Sequence, residues 1–340
     1  MLNAVLRRAT PIVARLRPGR HGTILCFHGV EATGDIAPSS AHVSVDRFRE
    51  CIDVACAAGE AVPLSEMIAR QAAGRSTGGL FSLTFDDAYI SLTTDVVREI
   101  LRGGQLPITI FVVTDASERG STFWWDRVET LERRVAPQAW KDFERSIGVP
   151  DAYRTSLAAT FGPLRPLRQW VLERFAGRWP REAEAALSAL ERSVGSPRTP
   201  RAMTFDEIDA LMRRARVELG VHTVTHPVLP MLSDDEARDE IGRSFAALRD
   251  RWPSTLPWLA APFGQYDRRT SRLAREAGLD GILTLHAYDV SVASPQHGLP
   301  RVNVMETAPA WKLGLRVSGL APRIWKAPSE LPYPPLPAPD

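Results

Sequence analysis

A chain of 340 residues can bury a large core, as one large domain or two ordinary ones. With 44% hydrophobic and 24% charged residues, the composition is globular and excludes collagen-like or wholly disordered chains. The 42 basic and 40 acidic residues leave a net charge of +2, so a global nucleic-acid footprint is excluded as well. Cys26, Cys51 and Cys56 have no metal-site spacing and read as buried free thiols in a reducing compartment.

Residues 1–21 form a basic arm in which Arg7, Arg8 and Pro11 interrupt the apolar Leu2 to Leu6. No stretch has the length of a signal-peptide core, and none approaches the roughly 20 apolar residues of a membrane-spanning helix. The chain is therefore expected in the cytoplasm, its arm either solvated or lying on the inner membrane face.

Thr23 to His28 reads as a short apolar strand, followed by a loop and a helix from Val45 to Ala58 with Phe48, Ile52 and Ala55 on one face. Ala61 to Leu64 reads as a brief strand, Leu80 to Asp87 as a buried one, and Ser91 to Leu101 as a helix stopped by Gly103-Gly104. Ile108 to Val113 is the clearest strand. From about Ser121 to Pro200 the chain is rich in Arg, Glu, Ala and Leu at helical spacing, and this 121–200 stretch reads as a helical insertion. Beyond it come a helix capped near Thr204, a strand from Arg216 to His222, and a helix from Ser233 to about Trp252 opened by a Ser-x-x-Glu capping box. Strands Leu256 to Ala261 and Gly281 to Leu285 flank a helix from Arg268 to Ala277, and Leu299 to Val304 is the last strand. Residues 311–340 hold a basic-apolar segment with Lys312, Arg316 and Arg323, then a Pro-rich tail that can form neither helix nor sheet.

Short apolar strands alternating with helices predict parallel strands joined by crossover helices. His28, Asp86, Asp87, His222 and the Pro262-Phe263 turn all fall at strand C-termini, where a barrel gathers its loops. An open doubly wound sheet collects sites there too, but it usually carries a Gly-rich nucleotide turn, which this chain lacks. The expectation is an α/β fold, a distorted (β/α) barrel of about seven strands over residues 22–310, with the helical insertion.

Asp86 and Asp87 are adjacent carboxylates at the mouth of a buried strand, and like charges that close resist ionising together unless a cation neutralises them. His222 and His226 supply two imidazoles four residues apart, with β-branched residues between and Pro227 after, which places them on a strand-end turn. Neutral imidazoles with one carboxylate leave a coordination position open for water, the pattern of a hydrolytic metal site. Trp124 and Trp125 open the insertion and serve either to pack it on the barrel or as a sugar-stacking platform.

These residues carry a resemblance. Thr84-Phe85-Asp86-Asp87 and His222-Thr223-Val224-Thr225-His226 resemble the first two motifs of the polysaccharide deacetylases, the NodB-homology carbohydrate esterases, and Ala260-Ala261-Pro262-Phe263-Gly264 resembles the third. Cys26-Phe27-His28-Gly29-Val30 resembles a strand-one signature of bacterial members, and Phe123-Trp124-Trp125-Asp126 resembles members associated with surface-polysaccharide synthesis. The resemblance implies that Asp86 is the general base and that Asp87, His222 and His226 hold one divalent ion, commonly zinc. It places an oxyanion-donating backbone N–H at Phe263, after Pro262; His28 faces the site, either to contact substrate or to support the metal shell, and Trp125 is the candidate substrate contact if the tryptophans form a stacking platform. The chain departs from the pattern twice. Ala260 stands where the family's third motif often has the arginine that orients the base, and Leu283-Thr284-Leu285-His286 only approximates the late motif whose histidine is the general acid, so His286 is the tentative acid.

The implied activity is metal-dependent N-deacetylation of an N-acetylated sugar in a glycan or glycan precursor, as in surface polysaccharide or lipopolysaccharide metabolism. A cytoplasmic chain would act on a nucleotide- or lipid-linked form, with peripheral membrane contact through its basic-apolar termini. The alternatives are a non-catalytic carbohydrate-binding barrel, and a deformylase or amidase acting on a small amino sugar.

Overall fold

The long apolar runs become strands buried on both faces, β1 Thr23–Phe27, β5 Leu80–Asp86 and β6 Ile108–Val112, with the short strands β2 Val30–Glu31, β3 Val43–Ser44 and β4 Glu60–Ala61 between β1 and β5 in the chain. The remainder are β7 Val217–Val221, β8 Trp258–Ala260, β9 Gly281–Thr284, β10 Leu299–Pro300 and β11 Val302–Asn303. The computed structural model describes residues 22–32, 41–153, 165–285 and 298–319; the basic arm, the Pro-rich tail and His286 lie outside them.

The main sheet runs β10-β9-β8-β7-β6-β5-β1-β11, with β4 beside the start of β5, and β2 pairs with β3 separately. Its ladders are parallel, for example Phe27↔Phe85 between β1 and β5 and Val112↔Val221 between β6 and β7. β10 and β11 are two halves of one extended run. Its first half pairs with β9 through Leu299↔Leu283, and its second with β1 through Leu25↔Val302. The hand-over is marked by Arg301 N–H donating to Thr284 O at 3.0 Å and Val304 N–H donating to Cys26 O at 2.9 Å. One run thus bridges the two ends of the sheet and nearly closes it into a parallel barrel surrounded by helices, as the alternating pattern predicts.

Side-chain alternation along the strands separates two layers. Leu25, Phe27, Leu83, Phe85, Ile108 and Ile110 pack outward with helix residues such as Phe48, Ile52 and Ile241. Ile24, Phe111, Trp258, Ala260, Leu283 and Leu299 form a second cluster inside, joined by Leu64 and Met67. Phe111 fills the interior opposite Gly220, where a Cβ would lie 2.3 Å from its ring. Because Ser82, Thr84 and Asp86 alternate with the outward residues, the period that buries Leu83 and Phe85 outside also turns Asp86 into the barrel mouth.

Two expectations shift. The brief strand at Ala61 to Leu64 is only Glu60–Ala61, because a helix, Leu64–Ala72, begins directly after Pro63. The helix expected from Ser91 starts as a 3-10 turn at Ile90–Thr93, and the α-helix begins at Asp95, where the Thr94 hydroxyl accepts from Val97 N–H. The capping boxes at Thr204 and Ser233 form as expected.

Between Trp124 and Ser193 the described elements are all helical, and Trp124, Leu131, Trp140, Phe143, Trp170 and Leu187 give this segment a core of its own. The C-terminal helix Ala310–Val317 buries Leu313, Leu315 and Val317, so the apolar side of this helix packs on the protein; residues 320–340 lie outside the described residues. No helix among the described residues is long and apolar enough to cross a membrane.

Candidate active site

The sequence-predicted acids and histidines meet at the C-terminal mouth of the barrel. Asp87 Oδ1 lies 3.5 Å from His222 Nε2 and 3.6 Å from His226 Nε2, and ligand atoms of the three residues all lie within 4.8 Å of one another. The His222 Nδ1 contacts Ala260 O at 2.8 Å, the geometry of an Nδ1–H donor, which leaves Nε2 free to ligate. Asp87 Oδ1 is buried with no hydrogen-bond partner. Burial, then the neighbouring Asp86, pushes the Asp87 carboxyl up, while burial holds both histidines down and neutral. An unpartnered buried carboxylate aimed at two neutral imidazoles suits a divalent ion such as zinc.

The turns that carry these groups are strained. Asp87, Ala88, Thr223, His226 and Phe263 all adopt positive φ without being glycine. The His222–His226 turn is held from outside by Glu240 on the helix Asp234–Arg251, which accepts from Val224 N–H at 3.0 Å, Thr225 N–H at 2.8 Å and the Thr225 hydroxyl at 2.6 Å. Arg178 donates to Glu240 at 3.0 Å and neutralises it. Replacing Glu240 with Ala is expected to weaken metal affinity by roughly 10- to 100-fold, since outer-shell partners set ligand orientation. Metal titration of the purified variant checks this, and wild-type affinity would remove Glu240 from the account.

Asp86 has a partner that local sequence reading missed. Arg301, at the β10–β11 junction, is fully buried and donates from Nη1 to Oδ1 at 2.7 Å and from Nη2 to Oδ2 at 2.8 Å. Its Nη1 also reaches Thr84 Oγ1 at 3.3 Å, and its guanidinium lies over Phe111 at 5.4 Å. Burial alone would raise the Asp86 pKa, but Arg301, then His222, pulls it well below the ordinary carboxylate range. The arginine absent at Ala260 is therefore present from another strand. The available signal was a charged residue inside the apolar run Leu299 to Val304, which called for a buried partner.

His28 is half-buried beside Asp86 and Cys26. Its Nδ1 is buried without a partner, and burial lowers its pKa to about 3. The Cys26 thiol lies 3.5 Å from Asp86 Oδ2 and is pushed up by burial.

The two tryptophans divide. Trp124 packs in the core of the insertion and donates from Nε1 to Gly177 O at 2.9 Å. Trp125 reaches the site, its ring centroid 4.8 Å from that of His226 and 6.0 Å from that of Phe263. Its Nε1 donates to the Tyr89 hydroxyl at 3.0 Å, the hydroxyl donates to Asp126 at 2.6 Å, and Asp126 contacts His42 Nε2 at 2.8 Å. Burial opposes the charge on His42, but Asp126 overrides it and raises the His42 pKa to about 10. Phe263, expected to matter for its turn, also presents its ring 4.6 Å from His226. Gly177 permits this, because a Cβ there would sit 2.7 Å from the Phe263 ring. His286 falls outside the described residues.

The fold has solved counterparts. The Streptococcus pyogenes deacetylase PplD superposes with a TM-score of 0.56 at 16% identity, over 88% of this chain and 99% of that one. IcaB from Ammonifex degensii superposes at 0.55 and 17%, over 89% and 98%. A de-N-acetylase from Aggregatibacter actinomycetemcomitans gives 0.52 and 13%, over 85% and 97%. The sequence model of the family described as polysaccharide deacetylase matches residues 182–282, which carry His222, His226, Pro262 and Phe263. Over those residues the chain is similar to the polysaccharide deacetylase family. No curated protein sequence matches it. The matched family acts on carbon–nitrogen bonds other than peptide bonds.

Proposed function

We propose that the protein is a metal-dependent N-deacetylase that removes acetyl from an N-acetylated sugar of a glycan or glycan precursor. The observation that carries the reading is the convergence of Asp87, His222 and His226 beside Asp86, with Asp86 gripped by Arg301. A divalent ion held by Asp87, His222 and His226 would polarise the acetamide carbonyl and lower the pKa of a water.

The chain's own groups do the rest. Asp86, kept ionised and in one orientation by Arg301, accepts a proton from the attacking water. The backbone N–H of Phe263 donates to the tetrahedral oxyanion, a contribution of about 10²–10³-fold for donors of this type. The leaving nitrogen takes its proton from an imidazole. The family pattern points to His286. His28 lies beside Asp86 outside the Asp87–His222–His226 cluster; held neutral, it can take up the proton delivered to Asp86 and pass it on. Trp125 and Phe263 wall the acetyl end against His226.

The reading as a non-catalytic binding barrel draws on the missing arginine and on the blurred late motif; Arg301 answers the first of these. A deformylase acting on a small amino sugar would use the same residues and differ in pocket shape. We take the substrate to be a nucleotide- or lipid-linked precursor at the cytoplasmic face of the inner membrane, a reading supported by the basic residues of the 1–21 arm.

Acetate release from N-acetylhexosamine oligosaccharides and lipid-linked sugars, with and without chelator, tests the function. Asp86→Asn is expected to lower turnover roughly 10²–10⁴-fold with metal content unchanged. Absence of release by metal-loaded wild type from every substrate would refute deacetylation.

A further inference from the structure

Among the described residues, the charges around the site are paired except at two places. Asp86 is paired with Arg301, Asp126 with His42, which also lies 3.6 Å from Glu31, and Glu240 with Arg178. Tyr89 and Cys26 are pushed up and stay neutral, Tyr89 by burial and then by Asp126, Cys26 by burial. Asp87 is the acid without a cation, and a divalent ion more than offsets it.

Arg168 is the cation left over among the described residues around the site. It sits on the helix Arg165–Phe175 of the insertion, half-buried, its guanidinium carbon 6.0 Å from the Phe263 ring centroid. That ring lies 4.6 Å from His226 and 6.0 Å from Trp125, so Arg168 stands one ring away from the candidate metal ligands. Among the described residues it has neither an ion pair nor a hydrogen bond; its recorded contact is the Phe263 ring. The other arginines that tie the insertion together are occupied: Arg127 by Glu184 and Glu191, Arg178 by Glu236 and Glu240.

We propose that Arg168 is a specificity-determining residue that receives an oxyanion of the sugar substrate, a phosphate or a carboxylate close to the acetamido group. The inference rests on the deacetylase reading and narrows its substrate class to acidic amino-sugar compounds. Three physical features favour an oxyanion. A half-buried guanidinium without a counter-ion stabilises an incoming anion more than a solvated one does, because water screens it less. A guanidinium offers a planar fork of donors that matches phosphate and carboxylate oxygens. With the metal bound, Asp87 leaves one positive charge at the site and Arg168 adds a second, a field that draws anions into the mouth. Mounting the arginine on the insertion rather than on the barrel separates substrate choice from the hydrolytic machinery.

The test is equilibrium binding to the metal-loaded full chain at low ionic strength, with three probes: N-acetylglucosamine, N-acetylglucosamine 1-phosphate and N-acetylglucosaminuronate. Wild type is expected to bind at least one acidic probe about tenfold or more tighter than the neutral one, the scale of a charge-assisted fork contact. Arg168→Ala and Arg168→Gln are expected to abolish that preference while neutral-sugar binding changes less than about twofold. Preference for the phosphate alone or the uronate alone identifies the source of the oxyanion. No preference in wild type overturns the proposal. So does a preference that survives Arg168→Ala, which assigns the anion to the metal, or an equal loss for all three probes, which makes Arg168 a packing residue. Acetate release is scored separately, so failure of deacetylation in wild type is distinguishable from failure of the charge preference.

Discussion

Replacing Arg301 with Met is expected to cost roughly 3–5 kcal/mol of folding stability, the usual penalty for stranding one partner of a buried ion pair. Turnover is expected to fall on the order of 10²-fold, because Asp86 loses the fork that sets its orientation and misplacement of a reacting group by about an ångström has that effect. The reason is local and severe. Arg301 is 0% exposed, both of its terminal nitrogens are committed to Asp86, and no water can replace them. Arg301→Lys keeps the charge but loses the fork, so it is expected to fall between wild type and Arg301→Met in both stability and turnover. The double variant Arg301→Met with Asp86→Asn should recover part of the stability lost in the single variant, since no unpaired carboxylate is then left in the barrel. Denaturant unfolding and acetate-release kinetics on metal-loaded protein check these outcomes. Wild-type turnover in Arg301→Met would show that Asp86 needs no such partner.

Stripping the metal is expected to destabilise the protein more at high pH than at low pH. In the metal-free chain, burial and Asp86 raise the Asp87 pKa above the unfolded value of about 3.9. Below the unfolded value both states are protonated and Asp87 imposes no penalty. As pH rises, the unfolded chain releases its proton freely while the folded chain holds it, so the folded state binds more protons and loses stability with rising pH. The buried histidines act in the opposite sense. Their lowered pKa values make the folded chain bind fewer protons than the unfolded one, which costs stability as pH falls. Because His222 and His226 are already neutral before metal arrives, they contribute little to the difference between loaded and stripped protein. That difference in melting temperature therefore follows Asp87, and is expected to widen as pH rises above the unfolded carboxylate value of about 3.9. Asp87→Asn should bind metal poorly and show no widening. A difference independent of pH in wild type would mean that Asp87 is ionised without the metal, contrary to its burial.

The acids and histidines were legible in the sequence because each is bound to a strong local signal. Asp86 and Asp87 end an apolar run whose burial follows from composition, and two histidines bracketing β-branched residues before a proline mark a turn at a strand end. The helix Val45–Ala58 and the capping boxes at Thr204 and Ser233 were equally readable, since propensity and caps act within a few residues. Parallel barrel architecture followed from strand–helix alternation in the same way.

What the tertiary structure decided is which distant residues became partners. Arg301 and Asp86 are 215 residues apart, and the only local hint of their contact is a charge inside an apolar run. The chain Trp125–Tyr89–Asp126–His42 joins the insertion to the barrel through groups that read singly as surface or loop residues. Arg168 stands beside Phe263 because the insertion folds back over the mouth, and nothing in its own helical neighbourhood foretells a charge left unpaired there. By itself the sequence determined the strands, the caps and the four central ligands and acids, because those depend on short-range propensity and burial. The fold alone decided how Asp86 is held and which cation stands beside the site, because a buried ion pair or an unpaired cation depends on what long-range packing brings beside it.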